Sequence, residues 1–375
     1  DVDIVITTNE LAKMLKDAVN IPVFIGHNIL SPEDAEKMLA EGNADFVALG
    51  RSQLAEPAWA KKAKEGRASD IKPCINCLIG CIDRGMLSHT PIHCTVNPSL
   101  YRFECKPVEK AETRKQVAVV GAGPAGCEAA LTASKRGHQV TIYEKRCIGG
   151  AMIEASKPEN KANIKRLIHY YEDHIMHDPN ITLVKEEVEY ETLVHSGYDA
   201  VIIAVGGKTR ILNVPGIEKN SVIYASDYLN GSTAVTGNTV VVIGGGITGA
   251  ETALELNAEG KKVTIVEMTD AFLANFSSAC QAYLATINET DIKILTGKRL
   301  TAVHENNVIL TDRWGNETTV PADSVVIAAG FTRQNELSDK LEENTDMQVF
   351  NVGDSKRVRQ IYDAIHEGFI AARQI

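Results

Sequence analysis

Apolar and polar positions along this chain fall into blocks, and the blocks change character twice. From residue 21 an apolar run "IPVFIG" is followed by "HNILS", a helix-period stretch "PEDAEKMLAEG", a second apolar run "DFVALG" and "RSQLAEP". The pattern predicts strand, loop, helix, strand and loop, a βαβ alternation with short connections. Two such units cannot close a sheet of their own, so they read as part of a larger α/β domain. A cysteine-bearing stretch comes next, then "CKPVEKAETRK", which has no apolar period and predicts a linker ending near Lys115.

Beyond that linker one pattern is written twice. "QVAVVGAGPAGCEAALTASKRGHQVTIYEK" and "TVVVIGGGITGAETALELNAEGKKVTIVEM" each set an apolar strand, a GxGxxG turn, an amphipathic helix and a second apolar strand ending in an acid. The spacing from Gly121 to Glu144 equals that from Gly244 to Glu267, which marks an internal duplication. Three glycines alone are weak evidence, since structural turns use them too; their place between strand and helix, with the acid downstream, points to dinucleotide binding.

In that reading Gly121 and Gly244 allow the sharp turn, Gly123 and Gly246 let a pyrophosphate approach, and Gly126 and Gly249 let helix and strand pack closely. Pro124, Ala125, Lys145 and Gly245 complete the cofactor-contacting positions. Free amides and the helix dipole face the phosphates, and Glu144 and Glu267 accept from ribose hydroxyls. Glu267 would repel a 2′-phosphate, and "MTDAFLA" after it brings no Arg or Lys, so the second unit is expected to prefer NADH to NADPH.

The 375 residues suffice for two or three domains at about 150 each. Charge changes the picture little: 39 basic and 49 acidic residues give −10, spread along the chain, which argues against a nucleic-acid surface. No apolar stretch reaches the roughly 20 residues of a membrane helix, and "DVDIVITTNELAKMLKD" lacks the basic start and apolar middle of a signal peptide. A cytoplasmic protein with reduced thiols is expected.

Cysteine spacing changes it more. Cys74, Cys77, Cys81 and Cys94 form CxxCxxxC followed from a distance by a fourth thiol. In a reducing compartment such a cluster reads as a metal or redox site, and four thiolates hold either zinc or an iron–sulfur centre. Zinc ribbons usually present two CxxC knuckles, whereas this spacing wraps three ligands round one corner of a cube and closes it from afar, which favours a 4Fe-4S cluster. Cys105, Cys127, Cys147 and Cys280 are expected to be scattered buried thiols. Cys147 has no partner four or five residues on and Cys280 none at CxxC spacing, which argues against a disulfide reductase.

Two dinucleotide units in one chain resemble the two-dinucleotide flavoprotein reductases, and "YDAVIIAVGG", "DSVVIAAGF" and "VFNVGDS" support that likeness. It implies FAD on the first unit, with Gly149 and Gly150 near its pyrophosphate and Asp354 on its ribitol, and a nicotinamide unit inserted. With the cysteine block in front, the whole chain resembles the iron–sulfur branch of the old yellow enzyme family: 2,4-dienoyl-CoA reductase, 2-enoate reductase, the bile-acid flavin oxidoreductases and, more distantly, trimethylamine dehydrogenase. "IGHNILSPEDAEKMLAEGNADFVALGRSQLAEP" then looks like the last two units of an FMN-binding TIM barrel. Gly26 and the backbone at His27, and Gly50 with Arg51, match its phosphate loops, although Gly or Asn is usual where His27 stands. Arg51 alone could equally be a surface arginine at a strand end.

The resemblance implies an α/β protein: residues 1–68 as the end of the barrel, 69–114 as cluster segment and linker, 115–214 and 336–375 as FAD domain, and 215–335 as NAD(H) domain. It implies electron flow from NADH to FAD to 4Fe-4S to FMN and reduction of an activated carbon–carbon double bond in a small enoate or enoyl-CoA substrate. The earlier barrel units, with the substrate pocket and the catalytic acid, lie outside this sequence, so no catalytic residue is named. An amine dehydrogenase with ADP in the first site is one alternative. A subunit feeding electrons to a partner, like the small subunit of glutamate synthase, is another, though "VALGR" counts against it. Oligomeric state stays open, a homo-oligomer included.

Overall fold

The computed structural model describes residues 8–100, 107–275 and 277–375. Helix α1 (Thr8–Ala18) is followed by β1 (Phe24–Ile25), α2 (Pro32–Ala40), β2 (Phe46–Val47) and α3 (Arg51–Ala55). Ser31 accepts from Asp34 N at 3.1 Å and Pro32 opens α2, so this helix starts on its sequence signal. β1 and β2 pair in parallel as expected, but over two residues rather than the length of each apolar run. A strand extends only as far as its backbone finds partners. On the open side Phe24 and Phe46 stack with centroids 4.6 Å apart, 66% and 49% exposed.

"RSQLAEP", expected as a loop, instead forms α3 from Arg51 to Ala55. Gly50 O accepts from Gln53 N and Leu54 N, and Ser52 Oγ turns inward to donate to Ile29 O at 2.5 Å. From residue 71 to 100 the cysteine segment that follows is irregular apart from a π-helical stretch, Ile79–Leu87.

The first duplicated unit begins with β3 (Gln116–Val120), α4 (Pro124–Arg136) and β4 (Gln139–Tyr143), continued by α5 (Asn163–His177), β5 (Ile181–Val184) and β6 (Ala200–Ile203). The chain then crosses on β7 (Gly207–Thr209) to β8 (Val222–Tyr224), β9 (Thr239–Ile243), α6 (Ile247–Ala258), β10 (Lys262–Val266), α7 (Ser278–Asn288) and β11 (Lys293–Leu295). A three-stranded antiparallel meander, β12 (Lys298–Val303), β13 (Asn307–Asp312) and β14 (Glu317–Pro321), precedes β15 (Ser324–Ile327). The return strand β16 (Phe331–Arg333) pairs antiparallel with β7. β17 (Gln348–Asn351) and α8 (Ile361–Gln374) finish the chain.

Two parallel five-stranded sheets result, ordered β17-β6-β3-β4-β5 and β11-β10-β9-β15-β8. Each has the glycine-turn strand at its centre, so the duplication seen in the letters is also a duplication of topology. Each "strand-plus-glycine" stretch, β6 or β15, lies directly beside that central strand.

Helix α4 departs from the amphipathic expectation. Glu128, Thr132 and Ser134 are buried along with its alanines: Glu128 is covered by Lys72 and by Tyr171 of α5, and Ser134 donates to Asp178 just after α5, while α8 packs along the same helix. A Cβ on Gly368 of α8 would overlap the Ala125 carbonyl, so the two helices touch backbone to backbone. The core of this first lobe runs through Val117, Ile142, Tyr171, Ile202 and Ile365, and Cys74, Cys77 and Cys94 pack against it.

Candidate functional site

Both glycine turns are built alike. Gly121 and Gly244 sit at φ +100 and +123, and a Cβ on either would overlap the carbonyl of Ala204 or Ala328. A side chain at Gly126 or Gly249 would fill the place of the Gly121 or Gly244 carbonyl. The third position is open: nothing lies within 4 Å of a Cβ on Gly246, and the nearest atom at Gly123 is Gly150 Cα at 3.9 Å. That open concavity, at the start of a helix, fits a pyrophosphate. Gly149 N donates to Ala122 O at 2.8 Å, which draws Gly149 and Gly150 onto the same turn.

The two acids brace these turns. Glu144 is buried and accepts from Ala122 N and Arg146 N, each at 2.7 Å. Glu267 accepts from Gly245 N and Thr269 N at 2.7 Å and from Thr269 Oγ1 at 2.8 Å. A carboxylate accepts about four hydrogen bonds, so capacity for a ribose hydroxyl remains. Lys145 turns away to an exposed pair with Glu187 at 2.6 Å. Asp354 follows β17 beside Gly353, where a Cβ would stand 3.2 Å from that of Ala125, and so adjoins the first turn. It accepts from Arg359 N at 2.9 Å, while burial pushes its carboxyl above the ordinary carboxylate range.

One pair of residues that sequence reasoning missed repeats with the duplication. Glu128 and Glu251 each stand two residues after the third glycine, buried in α4 and α6. Glu128 pairs with Lys72 of the cysteine segment at 2.5 Å and accepts from Tyr171 O–H at 2.9 Å. Glu251 pairs with Lys161 of the first lobe and accepts from Tyr283 O–H at 2.6 Å. Each lobe thus takes hold of what precedes it in the chain through the same Glu, a Lys and a Tyr. The available signal was an acid on an otherwise apolar helix face.

Cys74, Cys77, Cys81 and Cys94 all line one partly open concave space, whose wall also carries Arg51 and Leu54 of α3. Among the described residues no three His, Cys, Asp or Glu side chains converge on a point where a single ion could sit. Four thiols on one pocket are the all-sulfur donor set that an iron–sulfur cluster or zinc would take. Burial raises the Cys74 thiol, takes Cys77 to about 11 and takes Cys94 to about 12, so a metal that binds here displaces protons. Arg51 and Arg166 draw Cys74 the other way.

Arg51, expected at an FMN phosphate, therefore stands on the wall of the thiol pocket. Gly26 packs on Ala48, and His27 is exposed. Cys127 and Cys280 are buried as expected; Cys147 is exposed, because its turn runs over the surface between Glu144 and Gly149. Cys105 lies outside the described residues.

The cysteine segment touches every other part. Asn76 Nδ2 donates to Asn28 Oδ1 at 2.5 Å and Asn97 Nδ2 to Leu54 O at 2.9 Å in the N-terminal unit. Lys72 and the Cys94 carbonyl, the latter 2.9 Å from His366 Nε2, bind the first lobe. Asp83 Oδ1 accepts from Ser278 N at 3.0 Å and Ser278 Oγ at 2.5 Å at the start of α7 in the second.

Residues 115–368 match the family described as pyridine nucleotide-disulphide oxidoreductase, and residues 2–70 match the NADH:flavin oxidoreductase / NADH oxidase family. An NADH oxidase of Thermoanaerobacter brockii is 39% identical over 97% of this chain and 57% of its own length. The chain belongs to the iron–sulfur flavoenzyme branch of the old yellow enzyme family. Within that branch a bilirubin reductase of Mediterraneibacter gnavus is 34% identical over 97% of this chain and 57% of its own. A solved structure of 2-naphthoyl-CoA reductase with 2-naphthoyl-CoA superposes with a TM-score of 0.89 at 30% identity, covering 98% of this chain and 56% of that one. The chain spans a little over half the length of these relatives of the old yellow enzyme family. No helix among the described residues is long and apolar enough to cross a membrane.

Proposed function

We propose that this chain is the electron-delivering portion of a cytoplasmic, NADH-dependent flavin oxidoreductase that reduces an activated double bond in an enoate or enoyl-CoA substrate. The observation that carries the reading is the place of the four thiols: one pocket on a segment bonded to the N-terminal unit and to both dinucleotide lobes. A shared meeting point is what sequential electron transfer between separately held cofactors requires. When bound, FAD would supply the conversion between the hydride of NADH and the single electrons that a 4Fe-4S cluster passes toward FMN.

The residues divide that work. Cys74, Cys77, Cys81 and Cys94 would hold the cluster. The Gly121–Gly126 turn with Glu144, Gly149, Gly150 and Asp354 would hold FAD, and the Gly244–Gly249 turn with Glu267 would hold NADH. Arg51 with Gly26, His27 and Gly50 would face the FMN phosphate. Lys161, Glu251 and Tyr283 hold the nicotinamide-binding helix against the flavin-binding lobe. Partial burial holds the Cys77 and Cys94 thiols protonated near neutral pH, so metal binding there would release protons.

The test is composition. Purified without oxygen, the chain should carry about four iron and four acid-labile sulfide per molecule, four thiolates being the usual ligand set of one such cluster, together with FAD. One zinc without sulfide would overturn the cluster. ADP extracted in place of FAD would favour the amine dehydrogenase route instead.

A further inference from the structure

We propose that Thr95 sets the reduction potential of the cluster held by the four cysteines, through a hydrogen bond from its hydroxyl to the sulfur of Cys77. The inference rests on the reading that Cys74, Cys77, Cys81 and Cys94 share one cluster. Thr95 Oγ1 lies 3.0 Å from Cys77 Sγ, and Thr95 is 1% exposed on the wall of the thiol pocket. In the metal-free chain either atom can be the donor. Once iron takes the place of the thiol proton, the sulfur has nothing to donate, and the threonine O–H points at it. A donor aimed at a ligand sulfur stabilises the more negative, reduced state, and such bonds are among the levers that fix cluster potentials.

The hydroxyl is held where it is by its neighbours. His366, buried in α8, lies with Nε2 2.9 Å from the Cys94 carbonyl, the peptide that leads into Thr95, and its ring stacks on Tyr362 at 4.0 Å. On the other side Gly80 presses on the same stretch: a Cβ there would come 2.7 Å from His93 O and 3.1 Å from Cys94 Cα. His93 N also donates to Gly80 O at 2.6 Å. Helix and cysteine loop therefore fix the backbone on which Thr95 turns. Asn76 N lies 3.5 Å from Cys74 Sγ, and the amides of Val96 and Asn97 reach Cys94, but any side chain at those positions supplies a main-chain N–H. The Thr95 donor depends on residue identity, which makes it a point where sequence adjusts potential.

The measurement is an anaerobic redox titration of the cluster, followed by electron paramagnetic resonance, in the chain as purified and in Thr95→Val, Thr95→Ala and Thr95→Ser. Val keeps the shape and loses the hydroxyl; Ser keeps the hydroxyl. At a fixed ambient potential the reduced-to-oxidised ratio should fall about tenfold in the Val and Ala forms, equal to 59 mV for one electron, and return within twofold in the Ser form. Iron and sulfide content should stay unchanged in all three. An exchangeable proton coupling, seen by electron–nuclear double resonance after transfer to D2O, should be present in the unsubstituted chain and lost in the Val and Ala forms. Full loading with an unchanged midpoint in Thr95→Val and Thr95→Ala sinks the role of Thr95 alone. Absence of that coupling from the unsubstituted chain does the same without any variant. An unsubstituted chain free of iron and sulfide sinks the cluster reading, and this proposal with it.

Discussion

His138 shows how one buried side chain makes stability depend on pH. It is fully buried between α4 and β4, and its Nδ1 accepts from Lys115 N at 3.1 Å. Burial first, then the charges of Arg136 and Lys115, lower its pKa in the folded chain. The unfolded chain takes up a proton as pH falls through the ordinary histidine value, about 6.5, and the folded chain does so only at lower pH. Stability from this group is therefore complete above that value and is lost below it, by at most about 1.4 kcal/mol per pH unit. His138→Asn keeps an acceptor for Lys115 N and removes the titration. Its melting temperature should fall less steeply between pH 7 and 5; an unchanged slope would show that other groups carry the acid sensitivity. At the same scale Gly126→Ala places a methyl on the Gly121 carbonyl, and that turn has no slack. We expect loss of bound FAD with a cost of about 1–3 kcal/mol, the usual range for overpacking; FAD retained at full stoichiometry would contradict the tight turn.

Among elements, α7 has two caps from two places. Ser277 Oγ accepts from Cys280 N at 3.2 Å, and Asp83 reaches in from the cysteine segment to accept at Ser278. A carboxylate at a helix start also meets the positive end of the dipole. Asp83→Ala should cost about 1 kcal/mol, as lost caps do, and speed amide exchange at residues 278–281 while leaving α6 unchanged; uniform exchange across both helices would show that Asp83 does not hold α7. The glycine turns, the terminal acids and the doubled unit were legible because each is a matter of short spacing within one strand–turn–helix. The partners of Glu128 and Glu251 were not, since Lys72 and Lys161 belong to other units and only folding brings them in. The same holds for His366, which joins Cys94 from the far end of the chain. β1 and β2 are shorter than their apolar runs because pairing, not hydrophobicity, sets where a strand ends.

For the molecule as a whole, the second lobe is joined to the first by an ion pair between half-buried Lys161 and buried Glu251, with Tyr283 also bonded to Asn160 at 3.2 Å. Removing one partner of a buried pair leaves a charge uncompensated, at about 3–5 kcal/mol, whereas replacing both with apolar residues restores most of it. Lys161→Met should therefore destabilise the second lobe in denaturant titrations and Lys161→Met/Glu251→Met should recover it; a double variant no better than the single would mean the pair is not the joint. The chain by itself should oxidise NADH with artificial electron acceptors and reduce no enoate, and enoate reduction by this chain alone would overturn the proposal that its part is to deliver electrons. The tethers between lobes add a mechanical consequence. β7 and β16 run side by side, Phe331 opposite Thr209 and Arg333 opposite Gly207, so both passages are stitched into one two-ply ribbon. The two passages therefore have to move as one piece, so any displacement of the nicotinamide-binding lobe carries both strands along together or must first break the ladder between them.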